Sequence, residues 1–60
     1  MTLKDWLAWK QMPQEAFAKL IGVTQPTVTT WVSGSGIPRR DAMAKIIETT
    51  ERAVQPADFY

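Results

Sequence analysis

Apolar residues fall at helical spacing along most of the chain, and no run alternates as a strand would. Leu3, Trp6 and Leu7 share one helical face. Thr2 stands before them as a capping residue, and Asp5, three positions on, occupies the place of the acidic partner in a capping box. Trp9 falls off this stripe and is expected to pack at its flank. Met12 and Pro13 end the first helix and open a second, Pro13 suiting a first turn because its missing N–H has no partner there. Phe17, Leu20 and Ile21, with Ala18 beside them, form the apolar side of that second helix. Gly22 stops it, since glycine takes the left-handed conformation without steric penalty.

The stretch that follows, "VTQPTVTTWVS", is rich in residues that disfavour helix, yet it reads as a helix start. Thr24 is a good N-cap, and Pro26 falls in the first turn, where proline is tolerated. Val23 and Val28 have the spacing of a hydrophobic staple. On a wheel of about 100° per residue, Val28 and Trp31 face inward, while Gln25, Pro26, Thr29, Thr30 and Ser33 gather within about 140° on the outside. That outer face has hydroxyls, an amide and methyls but no charge. A helix meant only for water usually carries Lys and Glu there. A face of short, uncharged hydrogen-bonding groups suits docking on a surface with its own donors, acceptors and methyls, as the major groove of DNA has. A bland solvent face or a protein interface is the alternative.

"SGSGI", residues 33 to 37, is a loop. Its glycines either bring backbone N–H groups near a phosphate or form a plain turn. Pro38 is expected to restart helix as its first residue, with Arg39 and Arg40 in the first turn. Cations oppose the helix dipole there. The placement makes sense if the two guanidinium groups meet phosphates; otherwise they are solvated. Ala42, Met43, Ile46 and Ile47 give this fourth helix its buried side. Pro56 to Asp58 open a last short turn. Phe59 and Tyr60 are left to pack back or to meet a second subunit.

Composition narrows the function classes. Sixty residues make one domain, 1–60, near the lower size for independent folding. The 45% hydrophobic content is that of a globular protein. With no cysteine and no histidine, scattered carboxylates and no serine beside a base, little is left for catalysis, and no metal set or cofactor site can be assembled. No apolar run is long enough for a membrane span or a signal peptide, so the expectation is a cytoplasmic protein with no membrane and no small-molecule substrate. Net charge is only +1. Residues 10 to 40, however, hold Lys10, Lys19, Arg39 and Arg40 against Glu15 alone, a net +3. Residues 41 to 60 hold Lys45 and Arg52 against Asp41, Glu48, Glu51 and Asp58, a net −2.

"QEAFAKLIGVTQPTVTTW" resembles the helix-turn-helix of the Cro and lambdoid-repressor (Xre-type) family. Gln14, Phe17, Ala18, Ile21, Gly22, Val23, Thr24, Gln25, Val28 and Trp31 fit its pattern in order without a gap. "IPRRDAMAKIIETTERAV", from Ile37 to Val54, resembles less specifically the fourth helix and following turn of small phage Cro-like proteins. The resemblance covers about Leu3 to Val54. It implies an all-α, lambda-repressor-like bundle of four to five short helices that represses transcription by binding double-stranded operator DNA, its third helix in the major groove. Some relatives of Cro replace the last helices with strands, but helical spacing from Ile37 to Thr50 favours helix here.

Carried over by position, Gln25, Pro26, Thr29 and Thr30 are expected at base edges. Gln14, Thr24, Ser33, Ser35, Arg39, Arg40 and Lys10 are expected at phosphates. A module this small implies a near-palindromic site and a weak homodimer, for which Val54, Phe59 and Tyr60 are the candidate interface. Three positions depart from the family pattern. Pro26 stands where Ser or Gln is common, Gln11 where glycine is frequent, and Arg52 where glycine is again usual, so Arg52 is expected to take a positive φ. The competing function is a helical adaptor that uses the same fold to bind protein without DNA.

Overall fold

The computed structural model describes residues 1–59, and among them the chain forms four α-helices, one 3-10 turn and no strand. The helices are α1 (Leu3–Lys10), α2 (Gln14–Ile21), α3 (Gln25–Ser33) and α4 (Arg40–Thr49); the turn spans Pro56–Phe59. Leu3, Trp6 and Leu7 of α1, Phe17, Ala18 and Ile21 of α2, Val28 and Trp31 of α3, Ile46 of α4 and Val54 of the tail make one core. Trp6 and Phe17 meet in a tilted pair with ring centroids 5.7 Å apart.

The caps decide how the helices turn. Thr2 caps α1 by accepting the Asp5 N–H at 3.2 Å. After α2, Gly22 takes φ 87°, and both Gly22 and Val23 donate to the Ala18 carbonyl. Lys45 of α4 reaches across to the Ile21 carbonyl at 3.4 Å. Val23 then packs against the core ahead of the buried Val28, as the staple spacing predicts. A left-handed residue also ends α1 and α4, but there it is not glycine. Gln11 has φ 54°, and behind α4 Glu51 and Arg52 have φ 54° and 69° in succession. The positive φ expected at Arg52 is present; that at Glu51 has no counterpart in the sequence reading. Thr50 makes the double turn possible. Its buried hydroxyl donates to the Ile46 carbonyl at 2.7 Å and accepts the Val54 N–H at 3.2 Å, which swings Val54 into the core.

Several expectations need correction. Pro13 is not in the first turn of α2 but one residue before it, in extended conformation. Pro38 does not begin α4: it is buried, Arg39 after it is extended with ψ 168°, and the helix starts at Arg40. Pro38 and Met43 thus take the N′ and N4 places of a staple, so the proline serves packing ahead of the cap. Leu20 is 58% exposed, because the buried arc of α2 runs from Phe17 through Ile21 to Ala18 and Leu20 lies about 60° outside its Phe17 edge. Met43 and Ile47 are only half-buried on the α4 side that Ile46 anchors. Trp9 does not pack down at the flank; it is 66% exposed, with the Lys10 ammonium 5.0 Å from its ring centroid.

Candidate nucleic-acid interface

The sharp turn at Gly22 brings α2 and α3 into the most extensive helix pairing in the molecule. Val28 and Trp31 hold α3 by its inner side, so Gln25, Pro26 and Thr29 are left exposed and Thr30 half-exposed. This is the outer face that the wheel gives. From Gln25 to Ser33 no residue of α3 carries charge.

Gln14 joins this face from the neighbouring helix. It lies on the same side of α2 as Phe17, Ala18 and Ile21, one turn before them, so its side chain is directed at α3. The Thr29 hydroxyl donates to Gln14 Oε1 at 2.5 Å and lies 3.2 Å from the Gln25 carbonyl. The Gln14 amide oxygen is therefore taken, and its N–H groups remain to meet an acceptor such as a phosphate oxygen. No spacing rule in the sequence announces this bridge between the first residue of α2 and the middle of α3.

Thr24 is the N-cap residue of α3, but its hydroxyl makes no cap bond and instead shares a proton with the Thr27 hydroxyl at 2.9 Å. Thr30 donates to the Pro26 carbonyl at 3.0 Å. Beyond α3, Gly34 takes φ 83° as its left-handed cap. Gly36 runs so close to α3 that a Cβ there would lie 2.7 Å from Thr30 Cγ2. Both glycines are thus accounted for by the turn itself. Ser33 donates to the Thr30 carbonyl at 3.1 Å, and the Ser33 and Ser35 hydroxyls are 2.9 Å apart.

The cations divide by placement. Arg39 and Arg40 are exposed at the start of α4, no side chain caps that helix, and neither has a carboxylate within 4.0 Å among the described residues. Lys19 has Glu15 at 3.9 Å, and Lys45 caps α2. Lys10, expected at a phosphate, is turned elsewhere. Its ammonium lies over Trp6 and Trp9, in a shallow groove that α1 shares with Thr49, Thr50, Glu51 and Ala53, none of them in α3. Lys4 lines a groove with Gln11, Gln14 and Val32 and so stands near the α2–α3 face. Hydropathy spacing could have flagged it, because Lys4 is the polar residue next to Leu3 and one turn before Leu7.

Two of the candidate dimer residues are engaged by the fold itself. Val54 is fully buried, and Phe59 packs against the core. The hydrogen bond that the Val54 N–H donates to the Thr50 hydroxyl directs the side chain inward, which the sequence, showing only an apolar residue near the end of the chain, did not reveal. Tyr60 lies outside the described residues. Near the same end, Asp58 accepts the Gln55 N–H at 2.8 Å and pairs with the N-terminal ammonium at 3.2 Å. Those two contacts, the backbone bond first, hold its carboxyl below the ordinary aspartate range.

No group of three or more metal-ligating side chains gathers among the described residues, and no helix there is long and apolar enough to cross a membrane. No curated protein and no solved structure gives a significant match. The helix-turn-helix family does match, over residues 3–54, which takes in all four helices and ends at the buried Val54. With nearly the whole chain covered and a tight α2–α3 turn at its centre, this protein belongs to the Xre-like helix-turn-helix family, a family of DNA-binding domains and not of enzymes.

Proposed function

We propose that the protein is a Cro-type repressor that lays α3 in the major groove of double-stranded operator DNA. The observation that carries this reading is the pairing of two features: an exposed, uncharged face on α3 and, at the start of the next helix, two exposed arginines without carboxylate partners among the described residues. Arginines at a helix N-terminus oppose its dipole, and phosphates would reverse that penalty. Gln25 is assigned to adenine, whose N6 and N7 match an amide's acceptor and donor. Pro26, Thr29 and Thr30 face the neighbouring bases, Thr30 from the edge nearest the 33–37 loop. Gln14, Thr24, Ser33, Ser35, Arg39 and Arg40 are assigned to the backbone, with Lys4 added and Lys10 removed by their placement. Two copies would bind a near-palindromic site, since one such face reads too few base pairs to single out an operator. A repressor of this kind works in the cytoplasm of its host.

Selection from a random pool of duplex DNA tests the reading. The expected result is an enriched, near-palindromic site whose binding weakens steeply as salt rises. Failure to retain any duplex at low salt, with retention of a helical protein partner instead, would establish the adaptor function.

A further inference from the structure

The hydroxyls of Thr29, Thr30 and Ser33, on the outer face of α3, do not present both a donor and an acceptor to a ligand. Each has a single proton, and these three protons are given to acceptors within the protein. Thr29 donates to Gln14 Oε1 at 2.5 Å, with the Gln25 carbonyl at 3.2 Å as a second acceptor. Thr30 donates to the Pro26 carbonyl at 3.0 Å and Ser33 to the Thr30 carbonyl at 3.1 Å. A hydroxyl whose proton is given away offers only lone pairs on its other side. Among Gln25, Pro26, Thr29, Thr30 and Ser33, the outer face of α3, the Gln25 amide is then the one side-chain donor left free.

This polarity has a consequence in the major groove. The only base-edge donors there are the amino groups of adenine and cytosine; guanine presents two acceptors, and thymine an acceptor and a methyl. We propose that Thr29 reads the amino group of an adenine or a cytosine as an acceptor, and that Gln14 is the positioning residue that fixes this polarity. The inference rests on the proposed docking of α3 in the major groove. Guanine or thymine in front of Thr29 would set oxygen against oxygen. Turning the proton outward to meet it would break the bond to Gln14 and leave two acceptors facing the Thr29 oxygen. Thr29 is exposed, unlike the half-buried Thr30 whose methyl is held at Gly36, so Thr29 is the hydroxyl placed to act on a base.

The test uses the full chain and the site enriched from the random pool. Thr29→Val keeps the shape and removes the acceptor, and the position at which it alone loses preference marks the base that Thr29 faces. There the wild type should favour adenine or cytosine over guanine or thymine on one strand by about tenfold, the discrimination of one hydrogen bond. Replacing that base with its analogue lacking the exocyclic amino group should weaken the wild type by about the same factor and leave Thr29→Val unchanged. Gln14→Ala should let guanine and thymine in at this one position, whereas Gln14→Glu, which keeps an acceptor toward Thr29, should retain the preference while binding DNA more weakly overall. A merely structural Gln14 would lower affinity for all sites alike and move no base preference. Guanine or thymine enriched at the Thr29 position, or equal response of wild type and Thr29→Val to the analogue lacking the amino group, overturns the assignment and leaves the DNA-binding reading standing. Absence of any enriched DNA overturns both.

Discussion

Gln11 and Arg52 occupy left-handed backbone with φ 54° and 69°, and both are exposed. Among the described residues neither side chain makes a hydrogen bond or ion pair that would account for its choice. A non-glycine residue in this conformation costs roughly 1–2 kcal/mol, because Cβ crowds the carbonyl oxygen. Glycine removes that penalty but gives the unfolded chain more freedom, which returns about 0.5–1 kcal/mol. The net gain expected from Gln11→Gly or Arg52→Gly is therefore about 0.5–1 kcal/mol each. The backbone bonds that close these ends stay in place, among them Met12 N–H to the Leu7 carbonyl at 3.0 Å and Arg52 N–H to the Ile47 carbonyl at 2.8 Å. In a domain this small, 1 kcal/mol corresponds to a rise of roughly 4–8 °C in Tm. Thermal unfolding followed by far-UV circular dichroism reads the change directly. Ala at the same two positions serves as the control, since it removes the side chain and keeps Cβ. Stabilisation by Ala equal to that by Gly, or destabilisation by Gly, would refute the reasoning from backbone conformation.

Gln25→Ala should cost about 1–3 kcal/mol on the preferred site and relax one base preference; equal loss on all sequences would leave Gln25 only a positioning role. Arg39→Ala with Arg40→Ala should weaken specific and nonspecific DNA alike and reduce the log–log salt slope by roughly two units, whereas an unchanged slope would place both arginines in solvent. Asp58 has its folded-state pKa lowered, chiefly by the Gln55 N–H, so it stabilises the fold above its unfolded pKa of about 3.9 and loses that contribution as pH falls through the folded value. Asp58→Asn should thus be less stable than wild type at neutral pH, and urea titrations at descending pH should show the two converging in the acid range; a gap constant with pH would dissociate the effect from ionisation.

Helix positions were legible because the apolar spacing is regular wherever the core is. Leu3, Trp6, Leu7, Phe17, Ile21, Val28, Trp31 and Ile46 are all buried at the intervals that suggested helix. The turn between α2 and α3 was legible because Gly22 has one conformational role there. Errors arose where one residue type serves two purposes. Pro38 suits a helix start and equally suits a buried position ahead of one, and packing decided between them. Leu20 has the chemistry of a core residue and sits where the helix faces outward. Val54 depended on a tertiary event, the double left-handed turn at Glu51 and Arg52 closed by the Thr50 hydroxyl. At the site, the outer face of α3 follows from the wheel alone. The Thr29–Gln14 bond joins residues fifteen positions apart, and the gift of the three hydroxyl protons to acceptors within the protein depends on rotamers. Neither leaves a mark in composition or period.

The burial of Val54 and the half-burial of Phe59 change what kind of dimer is to be expected on DNA. A two-fold pair on adjacent major-groove faces sets its recognition helices one helical turn apart, roughly 34 Å. The Cα envelope of this chain measures 22 × 20 × 19 Å. Domains of that width, centred near their recognition helices, would meet only at their edges. Stable protein interfaces bury at least about 1,000 Å², and an edge contact between such small bodies falls short of that. Free protein should therefore sediment as a monomer, and the second copy should be held chiefly by its own half-site and by a small contact formed on the duplex. Sedimentation equilibrium of the free chain, followed by titration of the selected site, measures both halves of this argument. The expected outcome is a monomer alone and two chains per near-palindrome, with half-site spacing of about ten base pairs and loss of pairing when that spacing is changed by half a turn. A tight dimer in the absence of DNA would show that an apolar surface other than Val54 and Phe59 joins the copies. One chain on an asymmetric site would remove the two-fold arrangement altogether.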